Sequence, residues 1–564
     1  MKRLLPALLF LGIFFFLPLA RILTLGLNPG SFALLGGSFA PRLAEVLQFT
    51  FFQAFASTFL TLIVGLPLAF LFARYEFPLK PALRTLTAIP FMLPTVVVAA
   101  GFNALLGPRG WLNLGLASFG LPSVQFVGTF QAILVAHVFY NAIIVIRVVG
   151  AAWASLDPRL GQAARSLGAS PAQVFLRVTL PLLRPSIFAS SLLVFLFDFT
   201  SYGVILLLGG PKFSTIEVEI YIQAMHMLNL PAAALLSLAQ LLCTLAFSVL
   251  YSRYVTRLAV PVKPVEPVLK WPRSFIERSF VFLLSSFTIL FFLLPLLALP
   301  IRSVSRLETE RGQRAQVGPA LTIEYYTELF VNRRGSIFYV PPVEAARNSL
   351  AYAGLTVFFS LALGFPAALA LSRPGRFAQW IDPLLMLPLG ASAVTLGLGY
   401  ILTFNRPLAA LFPLSLITTH SSFFTDSLIK SPFLIPLAHT TIALPFVIRN
   451  LQAALATIPN RYREAARVLG ATPFQVWWHV DRPILSRALL SASAFAFTVS
   501  LGEFGAASLL ARPEYPTLPT AIFRFLSQPG GLNYGQAMAM ATLLMLLTGL
   551  FIWLIERERV AGEL

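Results

Sequence analysis

Two carboxylates stand in runs that are otherwise apolar: Asp198 in Phe197-Asp198-Phe199-Thr200-Ser201-Tyr202-Gly203, and Glu503 in Ser500-Leu501-Gly502-Glu503-Phe504-Gly505. A charge in a hydrocarbon-length segment is costly and by default marks a pathway residue. Asp198, Tyr202, Glu503 and Phe504 are therefore candidate translocation-pathway residues, and two acids on a pathway favour a cationic solute. The alternative is a pair of interfacial carboxylates that snorkel or meet Arg147 and Arg449. His137 and His439 each lie alone in an apolar run with no carboxylate near in sequence. They read as hydrogen-bonded packing residues rather than metal ligands. No catalytic or metal-binding residue is assigned, because no H-E-x-x-H, paired-Asp or nucleophile–base pattern occurs. A nucleotide-binding G-x-x-x-x-G-K-[ST] string is also missing; Gly209-Gly210-Pro211-Lys212 has the wrong spacing. An intramembrane enzyme is not expected, and the chain should bind no cofactor and hydrolyse no ATP itself.

A second kind of signal is polar. Gln162-Ala163-Ala164, Gly168, Val178, Leu180 and Pro181 recur 302 positions on as Glu464-Ala465-Ala466, Gly470, Val480, Arg482 and Pro483. Asp157-Pro158 starts a short helix and Gly168 ends it. Ser170-Pro171 starts a second, and Leu180-Pro181 is read as turning the chain toward the next span. The second copy repeats this with Pro459-Asn460, Gly470 and Thr472-Pro473. A water-facing helix pair kept twice in an apolar chain reads as a docking surface used twice. An amphipathic helix on lipid headgroups would not require the joint Ala-Ala, Gly and Pro spacing.

The elements that position these residues are membrane helices. The chain has 564 residues, 57% hydrophobic and 11% charged, against roughly 25% charged in soluble domains. The net charge of +19 is read as basic loops that fix orientation rather than as a nucleic-acid surface. Twelve stretches, from Leu4–Leu23 to Gln536–Ile555, are long enough to span as helices. They include Leu86–Leu106, Ile187–Leu208, Pro383–Phe404 and Ala488–Leu510. A cleaved signal peptide is a weaker reading of the first. The Lys/Arg bias puts the N-terminus and both docking loops in the cytoplasm, and the loop with Lys212, Glu217 and Glu219 outside.

The repeat extends beyond the loops. Ala136-His137 matches Ala438-His439, Tyr202-Gly203 matches Phe504-Gly505, and Gly65-Leu66-Pro67 matches Gly364-Phe365-Pro366. The fold expected is all-α integral membrane, about 12 transmembrane helices as two parallel six-helix repeats with cytoplasmic coupling helices. The halves are 1–258 and 279–564, joined by a cytoplasmic linker at 259–278.

The segments 162–181 and 464–483 closely resemble the EAA loop of bacterial ABC importer permeases, departing from its Glu-Ala-Ala and Leu-Pro only at Gln162 and Arg482. The resemblance implies a permease in the bacterial cytoplasmic membrane that docks two copies of an ATP-using ATPase subunit, through Gln162, Ala163, Ala164 and Gly168 and through Glu464, Ala465, Ala466 and Gly470. It also implies an extracytoplasmic solute-binding protein as partner. Gly209-Gly210-Pro211, Thr215-Ile216-Glu217 and Ser500–Gly505 look like the fused two-half permeases for thiamine and ferric iron. Ala136–Asn141 and Gly110-Trp111-Leu112 lean toward the thiamine type. The rival class is an ATP-independent secondary transporter with two six-helix halves. It explains the repeat but not the punctuated loops.

Overall fold

The computed structural model describes residues 3–37, 39–210, 212–258, 269–306, 321–331, 341–372, 375–405 and 428–560. Expectations that fall on Pro211 and on 259–268 of the linker lie outside the described residues. Among the described residues ten helices are long and apolar enough to cross a membrane, or twelve if each of two bent pairs is one span. Strand-like pairing among the described residues is limited to the isolated bridges Tyr75–Lys270 and Ser305–Leu321. This is an all-α membrane fold, as lipid demands of a chain that must satisfy its backbone internally.

The bent pairs correct two of the expected spans. Leu86–Leu106 was expected as one helix; the structure has Lys80–Met92 followed by a 112° turn into Thr95–Ser118. Pro94 is the cause: the residue before a proline is pushed out of the helical region, and Leu93 is extended at ψ 146°. In the other half, Pro383–Phe404 gives way to Trp380–Gly390 and Ala393–Phe404 at 97°. There Ser392 caps the new helix by accepting the Val394 and Thr395 amides.

The fifth and eleventh spans also differ from expectation. Ile187–Leu208 and Ala488–Leu510 were expected, with Leu180-Pro181 as a turn. Instead Pro171–Phe199 and Phe474–Gly502 are single helices of 29 residues each. They begin in capping boxes, Ser170 with Gln173 and Thr472 with Gln475. A proline inside a helix clashes with the carbonyl four residues back. Here the turns ahead of it widen to π geometry over Phe175–Thr179 and Trp477–Asp481, so the helix continues through Pro181 and Pro483. Both helices then stop at the segments that hold the candidate pathway residues.

Packing does not follow the sequence halves at the first spans. Leu5–Gly26 packs on the second half, where Leu11 and Phe15 share a core with Tyr352, Tyr400 and Leu444. Phe275–Ser303 packs on the first, where Phe292 stacks on Phe139 at 5.5 Å. Glycines make both crossings tight. A Cβ at Gly101 would sit 2.7 Å from the Pro295 carbonyl oxygen, and one at Gly399 2.9 Å from Pro18 Cβ. Overpacking such a site costs about 1–3 kcal/mol. Gly101→Val should therefore melt several degrees below the parent in detergent, while Gly354→Val, where nothing lies within 4 Å, should not. Equal melting of the two variants would show the crossing to be loose.

Candidate functional site

The broken spans and the ends of the two 29-residue helices enclose a cavity of about 370 Å³ at the seam between the halves. All four candidate pathway residues, Asp198, Tyr202, Glu503 and Phe504, line it. Tyr202 and Phe504 come from opposite halves and stack at 5.4 Å and 27°. The Tyr202 hydroxyl donates across the seam to Ser508 Oγ at 2.9 Å. On its other side Phe504 lines a second cavity of about 340 Å³, with Tyr221, Thr520 and Arg524.

Asp198 is fully buried. Its Oδ1 accepts from Asn141 Nδ2 at 2.7 Å and lies 3.5 Å from His137 Nδ1. Its Oδ2 has no partner among the described residues. Glu503 caps the helix Gly505–Leu510, accepting the Ala506 and Ala507 amides at 2.9 and 3.0 Å, and its Oε2 lies 3.3 Å from His439 Nε2. The pairing with arginines does not occur at Glu503, since Arg449 binds Asp382 at 2.9 Å. Each histidine does pack by hydrogen bonds, His137 with Ser57 and Ser201 and His439 with Ser500. The sequence distance had hidden that each also faces an acid.

The two halves build this cluster with one exchange. The repeat offset of 302 carries Asp198 onto Ser500 and Ser201 onto Glu503. Each histidine thus faces one acid and one serine three residues apart, in opposite order.

Glu217 was missed. It was expected in a loop on the outer side with Glu219, but the segment forms the helix Ile216–Tyr221, and both carboxylates are buried. Glu217 lines the cavity. It accepts from Ser392 of the other half at 2.6 Å and from Gln240. This short helix is not one of the spans, and burial pushes Glu217 up to about 7. Glu219 binds Arg42 at 2.7 Å. Ile216, Val218 and Ile220 alternating with these acids were the available signal. The repeat could not supply it, because the matching positions hold Pro519 and Ala521.

At one end of the bundle the two expected docking helices are Pro158–Ser166 and Asn460–Val468. Gly168 and Gly470 end them at φ +85° and +84°, and the Ala169 and Ala471 amides reach back to the Ala164 and Ala466 carbonyls in a Schellman closure. Gln162, Ala163, Glu464 and Ala465 are exposed, and Ala164 and Ala466 are half-buried. The leucine ahead of each glycine is bare: Leu167 is 89% exposed and Leu469 87%. Arg482, which departs from the repeat, lies 3.9 Å over the Trp478 ring.

The chain is similar to known transport proteins. The family of binding-protein-dependent transport system inner membrane components matches residues 65–260 and 360–557. The thiamine transport system permease protein of Brucella abortus is 26% identical over 538 residues, covering 93% of this chain and 90% of the relative. Its counterpart in Escherichia coli K12 is 28% identical over 519 residues, covering 91% and 88%. A probable ABC transporter permease of Sinorhizobium fredii is 24% identical over 491 residues, covering 85% and 82%.

The bond across the seam is measurable. A double-mutant cycle of Tyr202→Phe and Ser508→Ala should give a coupling of about 0.5–1.5 kcal/mol in unfolding experiments. A coupling of zero would mean that the hydroxyl bond is not made.

Proposed function

This chain belongs to the binding-protein-dependent transport system inner membrane component family, and on that premise we propose how it works. It is a multi-pass permease of an ABC importer, a transport subunit, and the secondary-transporter reading falls with that membership. The solute it passes is an organic cation of the thiamine class. The observation that carries this is the single cavity holding a Tyr202–Phe504 stack among Asp198, Glu217 and Glu503. Aromatic faces suit a flat ring and attract positive charge, and buried carboxylates balance a cation. The thiamine names of its relatives support the same class. The ferric-iron alternative has no support among these relatives and is dropped.

Energy enters from outside the chain. Two copies of a cytoplasmic ATP-binding subunit dock at the two loops, one on Gln162, Ala163, Ala164 and Gly168 and the other on Glu464, Ala465, Ala466 and Gly470. Bare Leu167 and Leu469 offer each an apolar anchor. A solute-binding protein delivers the cation on the opposite face of the bacterial cytoplasmic membrane. The Tyr202–Phe504 stack is the gate between the two cavities that share Phe504. Opening it requires the halves to rock apart at the seam.

Uptake of labelled thiamine tests this, in a bacterium without its own thiamine importer that expresses the chain with its ATPase and binding protein. Uptake should appear and be competed by unlabelled thiamine but not by ferric iron; no uptake sinks the substrate reading. Asp198→Asn with Glu503→Gln should cut uptake about tenfold, equivalent to roughly 1.4 kcal/mol, with the ATPase still bound. Unchanged uptake removes the acids from the pathway. A side chain in left-handed backbone costs roughly 1–2 kcal/mol. Gly168→Val and Gly470→Val should each weaken co-purification of the ATPase, and to different degrees, since the first loop has Gln162 where the second has Glu464. Full retention in both variants would mean that the loops do not dock it.

A further inference from the structure

Behind the first docking helix lies a crevice of about 430 Å³. It is bounded by the ends of Phe39–Arg74 and Phe130–Ala154, by Pro158–Ser166 and by the start of Pro171–Phe199. Three cations line it: Arg74, Arg165 and Lys270. Arg74 is half-buried, and neither arginine has an ion-pair partner among the described residues. Lys270 is fixed beside Arg74 by backbone bonds, its amide donating to the Arg74 carbonyl and its carbonyl accepting from Glu76, both at 3.0 Å. Its ammonium is neutralised by Glu277. The one acid in the lining, Asp157, caps its own helix by accepting the Arg159 amide at 2.9 Å. Neither arginine forms an ion pair with it, and the lining stays net positive.

A second hollow of about 330 Å³, with a wholly apolar lining, adjoins the crevice. Phe70, Trp153 and Phe175 wall both, packed at 5.0 Å for Phe70–Trp153 and 6.1 Å for Trp153–Phe175. From there the groove continues along the spans past Leu66, Ile187 and Phe280. Aromatic rings gather where a membrane meets water. A basic basin beside a dry groove, with an aromatic wall common to both, matches one molecule with an anionic head and a hydrocarbon tail laid across that wall.

We propose that this crevice binds an anionic phospholipid. Its phosphate sits on Arg74 and Arg165, as charge-assisted hydrogen bonds favour, and one acyl chain follows the groove. The second half marks the contrast. The positions matching Gly161 and Thr179 are Arg463 and Asp481, which pair at 2.8 Å and supply their own internal ion pair there. The position matching Trp153 is Leu455, and Gln162 becomes the acid Glu464. In the first half a Cβ on Gly161 would meet only Val174 Cγ1, at 3.5 Å. The position matching Arg165 is again an arginine, Arg467, so what sets the first loop apart among the described residues is the space left open where the second half holds its ion pair. The site does not depend on which solute is carried.

Native mass spectrometry of the purified chain in nanodiscs of mixed phosphatidylglycerol and phosphatidylcholine tests it, alone and with the ATPase bound. The chain should retain phosphatidylglycerol over phosphatidylcholine in both states. Arg74→Ala with Arg165→Ala should lower that preference on the order of tenfold, the scale of losing charge-assisted bonds. Gly161→Arg with Thr179→Asp transplants the ion pair of the second half. It should evict the lipid equally while the melting temperature holds, which separates loss of the site from loss of folding. Equal retention of the two lipids, or unchanged preference in the transplant, overturns the proposal. Displacement of the lipid by millimolar inorganic phosphate would make this a phosphate site, and loss of the lipid when the ATPase docks would give the crevice to that subunit. Either result also overturns it.

Discussion

The rest of the structure depends on two helices that leave their own half of the sequence. Leu5–Gly26 lies on the second half and Phe275–Ser303 on the first. Lipid is as apolar as a helix face, so apolar surface gives little drive to associate inside a membrane, and close van der Waals contact must hold helices together. Gly101 against Pro295 and Gly399 against Pro18 provide that closeness, because a side chain at either glycine would collide with its neighbour. With the halves clasped in this way, the seam between them is lined by protein. Carboxylates are tolerable there, where lipid would exclude them.

The cluster at the seam uses one design with its parts exchanged. Ser57 bonds His137, and at the matching place Thr356 bonds Ser500, which in turn bonds His439. The acid moves by three residues, about one helical turn, between Asp198 and Glu503. The move changes what holds it. Asp198 sits within its helix and needs Asn141, whereas Glu503 lies past the helix end and takes the amides of the next helix. Glu217 has no counterpart at all. A chain with two copies of one scaffold thus presents three carboxylates in three different settings, which suits a solute with no symmetry of its own.

Much of this was legible in the residues, and the failures share a cause. The two short helices proposed for docking and their glycine closures follow from local grammar, which caps and positive φ enforce wherever the segment lies, and the candidate pathway residues from acids in apolar runs. Hydropathy counted the spans but missed the breaks at Leu93 and Ala391, because an interrupted apolar run reads the same as a continuous one. Leu180-Pro181 looked like a turn, since proline usually stops a helix; the π turns before Pro181 and Pro483 leave no trace in composition. Glu217 went to an outer loop because it falls between two spans, and its partners Gln240 and Ser392 lie 23 and 175 residues away.

The helix that runs from Pro171 to Phe199 without interruption has a consequence in leverage. Its 29 residues make a rod of about 43 Å, at roughly 1.5 Å per residue. One end follows the loop at Ser170 and the other carries Asp198. A tilt of ~5° about the loop end would carry the far end by ~4 Å, comparable to a ring thickness. Phe474–Gly502 is built to the same length, so the two halves form a matched pair of oars with their blades at the cavity. A stroke applied to such a rod arrives at the other end as it is made, with no chain of side chains to rearrange in between.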